Sequence, residues 1–324
     1  MPITDFFKKL LIKDSFHSNN AKSTLIIDSD LNQSISVFLN WAEKGYALKK
    51  SNSEYPAYMK YELSIDDPIK FHKEMIDNGY LCKPTLKILL TKLKIPQLKQ
   101  ILEENGQSKT GNKNVLIDRI LNTISKDFLE TIKSNFDGYV LSEKGLNFIR
   151  ENHFYIDLHN NSRWNISLEE YKRVKVSLNF NASFNDVAWG IFNKRNLDLV
   201  NSKNWGLVRN NLNCMSELLY KEQKYTLSLG FLLDVLYYDL SGLENNNMIL
   251  PFEDLFIAPG IIKNILSLRN YYNEDLIDRS IFKKQLPFSY FSSDVFKIII
   301  TDLFENGDID LNHYKKYINT YKLI

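Results

Sequence analysis

Apolar residues recur along this chain at helical spacing far more often than at strand spacing. Gln33–Lys44 places Ile35, Phe38, Leu39 and Ala42 on one face of a helix. Asp67-Pro68 starts a second helix that runs through Met75 and Ile76, and Asn78-Gly79 stops it. Tyr80-Leu81 predicts a short strand. Gly138-Tyr139-Val140-Leu141 predicts another, with Ser142 as N-cap of a helix through Phe148. From Ser167 onward nearly every segment predicts helix, including Asp186–Val200, Pro259–Tyr271 and Ser292–Phe304. Gly242–Pro259, centred on Asn245-Asn246-Asn247, is the exception and predicts a long loop.

One stretch carries more detail. Residues 91–121 read TKLKIPQLKQILEENGQSKTGNKNVLIDRIL. Pro96 suits the first turn of a helix, where its missing N–H costs nothing. Leu98, Ile101 and Leu102 form its apolar face, and Asn105-Gly106 ends it. A polar loop, Gln107–Thr110, leads through Gly111-Asn112-Lys113 into a second helix whose expected apolar face is Val115, Leu116, Ile120 and Leu121.

Composition supports the helical reading. The 324 residues are long enough for two or three domains, and 12 Gly with 8 Pro are too few for a loop-rich all-β fold. The net charge of +2 looks unpromising for a nucleic-acid partner, but it is unevenly spread. Lys87–Lys126 carries Lys87, Lys92, Lys94, Lys99, Lys109, Lys113, Arg119 and Lys126 against Glu103, Glu104 and Asp118, a net +5, leaving −3 on the remainder. A helix N-terminus at Gly111-Asn112-Lys113 offers free backbone N–H groups to a phosphate, and glycine lets that phosphate approach closely.

On these residues the stretch resembles a SAP module, the helix–loop–helix unit of scaffold-attachment factors. The residues concerned are Leu-Lys-Ile-Pro-Gln-Leu-Lys, Gly106, Thr-Gly-Asn-Lys and Leu116-Ile117-Asp118-Arg119-Ile120. The resemblance, to SAP-domain proteins of bacterial or phage type, implies binding to AT-rich or structurally distorted duplex DNA. It implies contacts from Gly111 and Lys113, with Lys99 and Arg119 as further candidates. Lys109 and Asn112 complete the expected DNA-binding set. Gln107 departs from the family, many of whose members have an apolar residue beneath the loop. So few contacts imply weak, salt-sensitive binding with little base readout.

Further along, Asn204-Trp205-Gly206-Leu207 opens a helix that turns at Tyr220–Tyr225 into a second one. The pair resembles a tetratricopeptide-like repeat, with Cys214 and Gly230 at small positions, and the resemblance implies a protein-binding surface. Tyr139–Gly145 resembles the strand-to-helix step of winged-helix proteins. Gly79-Tyr80-Leu81 could pair with it as a ribbon flanking the basic module, making residues 60–150 one compact unit.

The expected fold is therefore mainly α and multi-domain. An α-rich region (1–86) precedes the SAP-like module (87–126), followed by a connecting strand–helix segment (127–162) and an α-helical, tetratricopeptide-like domain (163–324). No motif for catalysis stands out. Ile26-Ile27-Asp28-Ser29-Asp30 ends an apolar run in Asp-x-Asp but lacks the α/β context of a phosphotransferase, so a capped turn is expected. His153 and His159 lack a third metal ligand in sequence, and Asp308-Ile309-Asp310 lacks the pattern of a calcium loop. No cofactor, metal or phosphate loop is expected. Asp5 and Lys8-Lys9 interrupt the first apolar stretch, and Asp234 cuts Leu227–Leu240, which reads as a buried helix, so neither a signal peptide nor a membrane span is expected. Cys82 and Cys214 suggest no disulfide framework, and a reducing, cytoplasmic setting is the simplest.

The functional expectation is an adaptor without catalytic activity. The SAP-like module touches DNA, and residues 163–324 hold a protein partner or a second copy of the chain. A DNA-processing, nuclease-like enzyme and a protein-only scaffold are the alternatives.

Overall fold

A computed structural model describes residues 21–178, 181–278 and 286–318. These hold seventeen α-helices and one two-stranded ribbon, a mainly α fold. The first residues, including Asp5 and Lys8-Lys9, lie outside the described set. The chain divides after Asn160 into two compact units.

In the first unit, α1 (Ala21–Ala42) is longer than expected, and Ile26–Asp30 lies inside it instead of forming a capped turn. Short polar side chains can cap a turn, but here the helix continues into the strongly apolar run Ile35–Ala42. Phe38 and Leu39 of α1 pack with Met59 of α2 (Tyr58–Tyr61) and with Phe71 and Met75 of α3 (Pro68–Asp77). Asp67 caps α3, its Oδ1 accepting from Lys70 N at 3.1 Å. Beyond Asn78-Gly79 the chain enters β1 (Leu81–Cys82), which pairs antiparallel with β2 (Val140–Leu141); Leu81 faces Leu141 and Cys82 faces Val140. The expected ribbon is therefore present. The unit is larger than 60–150, because α1 also packs against α8 (Glu143–Glu151) and α9 (His153–Asn160).

His72 is fully buried among Phe38, Trp41, Tyr55 and Tyr139, its Nδ1 2.9 Å from the Tyr55 hydroxyl. Burial, with Lys49 nearby, lowers its pKa to about 4, so the ring is neutral at pH 7.

Between the two strands the chain makes α4 (Leu86–Lys92), α5 (Ile95–Glu104), α6 (Lys113–Thr123) and α7 (Lys126–Ser134). These four helices share a core of their own, with Leu90, Leu98, Leu102, Leu116, Ile117, Ile120, Ile124 and Leu129 buried. The basic module is thus inserted into the ribbon and leaves and re-enters the body at neighbouring residues.

The second unit contains α10 (Leu168–Leu178), α11 (Phe184–Asn201), α12 (Trp205–Lys221), α13 (Tyr225–Ser241), α14 (Pro259–Ser267), α15 (Asp275–Asp278), α16 (Ser293–Asn306) and α17 (Leu311–Tyr314). Ser183 and Asp186 form a capping box at the start of α11. The three-residue connection Glu222–Lys224 makes α12 and α13 antiparallel neighbours. Ser216 Oγ donates to Ser228 O and Ser228 Oγ donates to Ser216 O, both at 2.9 Å, so small residues let the helices approach and leave no hydroxyl unpaired. Arg209 grips Asp239 through two bonds of 2.7 and 2.8 Å, and burial raises the Asp239 pKa against the pull of that guanidinium.

The expected long loop after Gly242 has a structural task. Asn245 Oδ1 accepts from Leu207 N at 3.0 Å and Asn247 Oδ1 from the Trp205 indole at 3.0 Å, covering the start of α12. Leu227–Leu240 lies within α13 and is largely buried. Among the described residues no helix is long and apolar enough to cross a membrane.

Candidate nucleic-acid interface

The site is built by the end of one helix and the start of the next. In α5, Pro96 occupies the first turn, and Gln97 Oε1 accepts from the N–H of Lys94 at 2.8 Å. Leu98 and Leu102 are fully buried, with Ile101 half-buried beside them. The helix stops in a Schellman motif, with Gly106 N bonding Glu103 O at 3.0 Å and Gln107 N bonding Leu102 O at 2.7 Å. Gln107 thus serves through its backbone where an apolar side chain was missing.

The loop that follows is held by hydrogen bonds. Arg119, one turn and a half into α6, donates from one nitrogen to Ser108 O at 2.5 Å and Thr110 O at 2.8 Å. The hydroxyls of Ser108 and Thr110 pair at 2.9 Å. Gly111 then adopts φ +125°, and a Cβ there would stand 2.7 Å from Val115 Cγ1. Both the conformation and the contact require glycine. Asn112 caps α6, its Oδ1 accepting from Val115 N at 3.1 Å. The N–H groups of Lys113 and Asn114 have no partner among the described residues, as the first turn of a helix leaves them.

The structure brings Lys109, Gly111, Asn112, Lys113 and Arg119 together at this loop and helix start. Lys109 forms an ion pair with Glu103 at 2.6 Å, so its charge is partly neutralised. Lys113 Nζ donates to the carbonyl of Thr91 at the end of α4, 2.6 Å away. Lys99 stands exposed on α5, and among the described residues no hydrogen bond or ion pair ties it to the loop. The apolar face of α6 differs from the expected one. Ile117 is buried with Leu116 and Ile120, whereas Val115 is 43% exposed over Gly111 and Leu121 only half-buried.

The SAP domain family matches residues 89–125. A SAP domain occupies this stretch. No curated protein and no solved structure matches the chain. A SAP domain suggests DNA binding, and here it lies within the basic stretch Lys87–Lys126, whose net charge is +5. Its core draws on residues outside the matched stretch, since Leu86 of α4 and Phe128, Leu129 and Ile132 of α7 complete it. Sequence patterning missed α4 and α7 as separate helices because each is short. Their N-caps, Thr85 and Ser125, were the available signal.

The remaining sequence candidates hold local structure. His153 Nδ1 lies 2.9 Å from Asp157 and His159 Nδ1 lies 3.1 Å from Glu62. Asp310 caps α17, accepting from Asn312 N at 3.0 Å. Cys82 and Cys214 are both free thiols.

Proposed function

We propose that this chain is a DNA-binding adaptor, in which the SAP domain holds duplex DNA and residues 163–324 engage a protein partner or a second copy. The observation that carries the reading is the start of α6. Exposed Gly111, two unpaired N–H groups and half-buried Lys113 stand together at the positive end of an eleven-residue helix. Lys113 spends one of three ammonium donors on Thr91 O, leaving two for a phosphate oxygen. Contacts of this kind bind backbone and not base edges. The preferred DNA is therefore set by shape and charge, AT-rich or distorted duplex, and the binding is weak and salt-sensitive.

The partner role of residues 163–324 is supported by three successive packed helices, α11 to α13, whose α12–α13 hairpin resembles a tetratricopeptide-like unit. We place no catalytic step in the chain.

Fluorescence anisotropy with AT-rich, GC-rich and single-stranded DNA at two salt concentrations tests the DNA half. Lys113→Glu is expected to weaken duplex binding by roughly tenfold and to reduce the salt slope by about one unit. Unchanged affinity in a folded variant would remove the assignment. Cleavage of plasmid that depends on Mg²⁺ or Mn²⁺ would favour an enzyme instead.

A further inference from the structure

The lysines around the SAP domain differ in what holds them. Lys109 is met by a carboxylate, but three others are pinned by main-chain carbonyls. Lys113 Nζ lies 2.6 Å from Thr91 O, Lys92 Nζ 3.2 Å from Glu43 O, and Lys83 Nζ 2.8 Å from Asp137 O. A carbonyl fixes an ammonium in place without cancelling its charge, so these cations are positioned and still uncompensated. Thr91 and Lys92 are consecutive at the end of α4. The start of α6 therefore adjoins the end of α4, which adjoins the loop that follows α1.

That loop is fixed to the base of the module. A Cβ on Gly138 would stand 2.1 Å from Gly45 O, so the two backbones touch there. Tyr139 N bonds Tyr46 O at 3.2 Å, and Gly45 lies against the Lys92 ammonium. Residues 43–50 carry Lys44, Lys49 and Lys50 against Glu43 alone; Lys44 and Lys50 are exposed, while Lys49 leans over the Tyr46 ring. The carbonyls that hold Lys92 and Lys83 belong to acidic residues, Glu43 and Asp137, but among the described residues neither lysine is in an ion pair with a carboxylate.

We propose that the phosphate-binding surface continues past the SAP domain. It runs from Lys113 across Lys92 to Lys44, so that a duplex backbone lies over α6, α4 and the 43–50 loop. This rests on the DNA-binding reading given above and adds to it a contact from outside the 89–125 stretch. Two fixed, unneutralised cations on α6 and α4, continued by the exposed Lys44 on the adjoining loop, match a polyanion with repeated charges better than a single anion.

The test uses the full chain and a fluorescent AT-rich duplex, with anisotropy followed over a salt series. Lys44→Glu should weaken binding several-fold and lower the salt slope by about one unit. Combined with Lys113→Glu, it should lower the slope by about two. Lys263→Glu, at an exposed position of α14, changes the net charge equally and should alter neither quantity. Circular dichroism checks that each variant is folded. If Lys113→Glu weakens binding while Lys44→Glu matches the unaltered chain, the extension is wrong and the SAP reading stands. An equal effect from Lys263→Glu would also overturn it. Absence of duplex binding by the unaltered chain would overturn both.

Discussion

Arg119 and Lys113 bear the same charge beside the same loop, yet their geometry separates their tasks. Arg119 ties two loop carbonyls to α6 through one nitrogen of a planar, pre-organised guanidinium, a link for which a flexible lysine would lose more side-chain freedom. Hydrogen bonds from charged donors contribute about 1.5–3 kcal/mol each when sheltered and less at this exposed site. Arg119→Lys should therefore speed amide exchange across 108–112 and weaken DNA binding several-fold, with the salt slope kept. A slope lowered by about one unit in Arg119→Gln, which removes the charge, would make Arg119 a phosphate contact instead. His72 gives a second prediction. Its folded pKa of about 4 lies below the ordinary 6.5, so the unfolded chain binds more protons between those values. Stability of the first unit should fall as pH drops from about 6.5 towards 4, by up to ~1.4 kcal/mol per pH unit. His72→Gln should flatten that part of a urea-denaturation profile. Neither role could be seen in the sequence, because the partners of Arg119 are loop carbonyls and the cage of His72 comes from distant segments.

Elements whose boundaries are set locally were legible. The cap of α3 by Asp67, its stop at Asn78-Gly79, and the Ser142 cap of α8 each depend on residues within a turn of one another. The α6 face was misjudged for an equally local reason. Val115 closes over Gly111, which moves it out of the core and brings Ile117 in. The Asn245–Asn247 loop was visible as a loop, but its covering of α12 was not, since that contact joins residues about forty positions apart. Core substitutions test the module as an element. Leu116→Asp places a carboxylate at a site with no exposure, inside a cluster of eight buried residues. It should unfold α4–α7, seen as loss of their amide protection, and abolish duplex binding. The second unit should retain its protection, since each unit has its own core.

For the molecule as a whole, the SAP domain was legible in the residues of its two helices and loop, while the way it is mounted became visible only in three dimensions. Cys82 and Val140 are register partners, so 57 residues leave and return at one rung of a ribbon. Replacing 83–139 by Asn-Gly, which suits a two-residue hairpin, should leave the α1–α3–α8 core folded. Some stability should be lost with the contacts of Tyr139. DNA binding should vanish, and a helical spectrum with a cooperative thermal transition is the expected readout. The same mounting has a mechanical side. A pull on the DNA would enter the body through both strands from the same end of the ribbon. It would drag the strands along together, without peeling one from the other, and the tension would divide between two covalent routes, one into α3 and the other into α8.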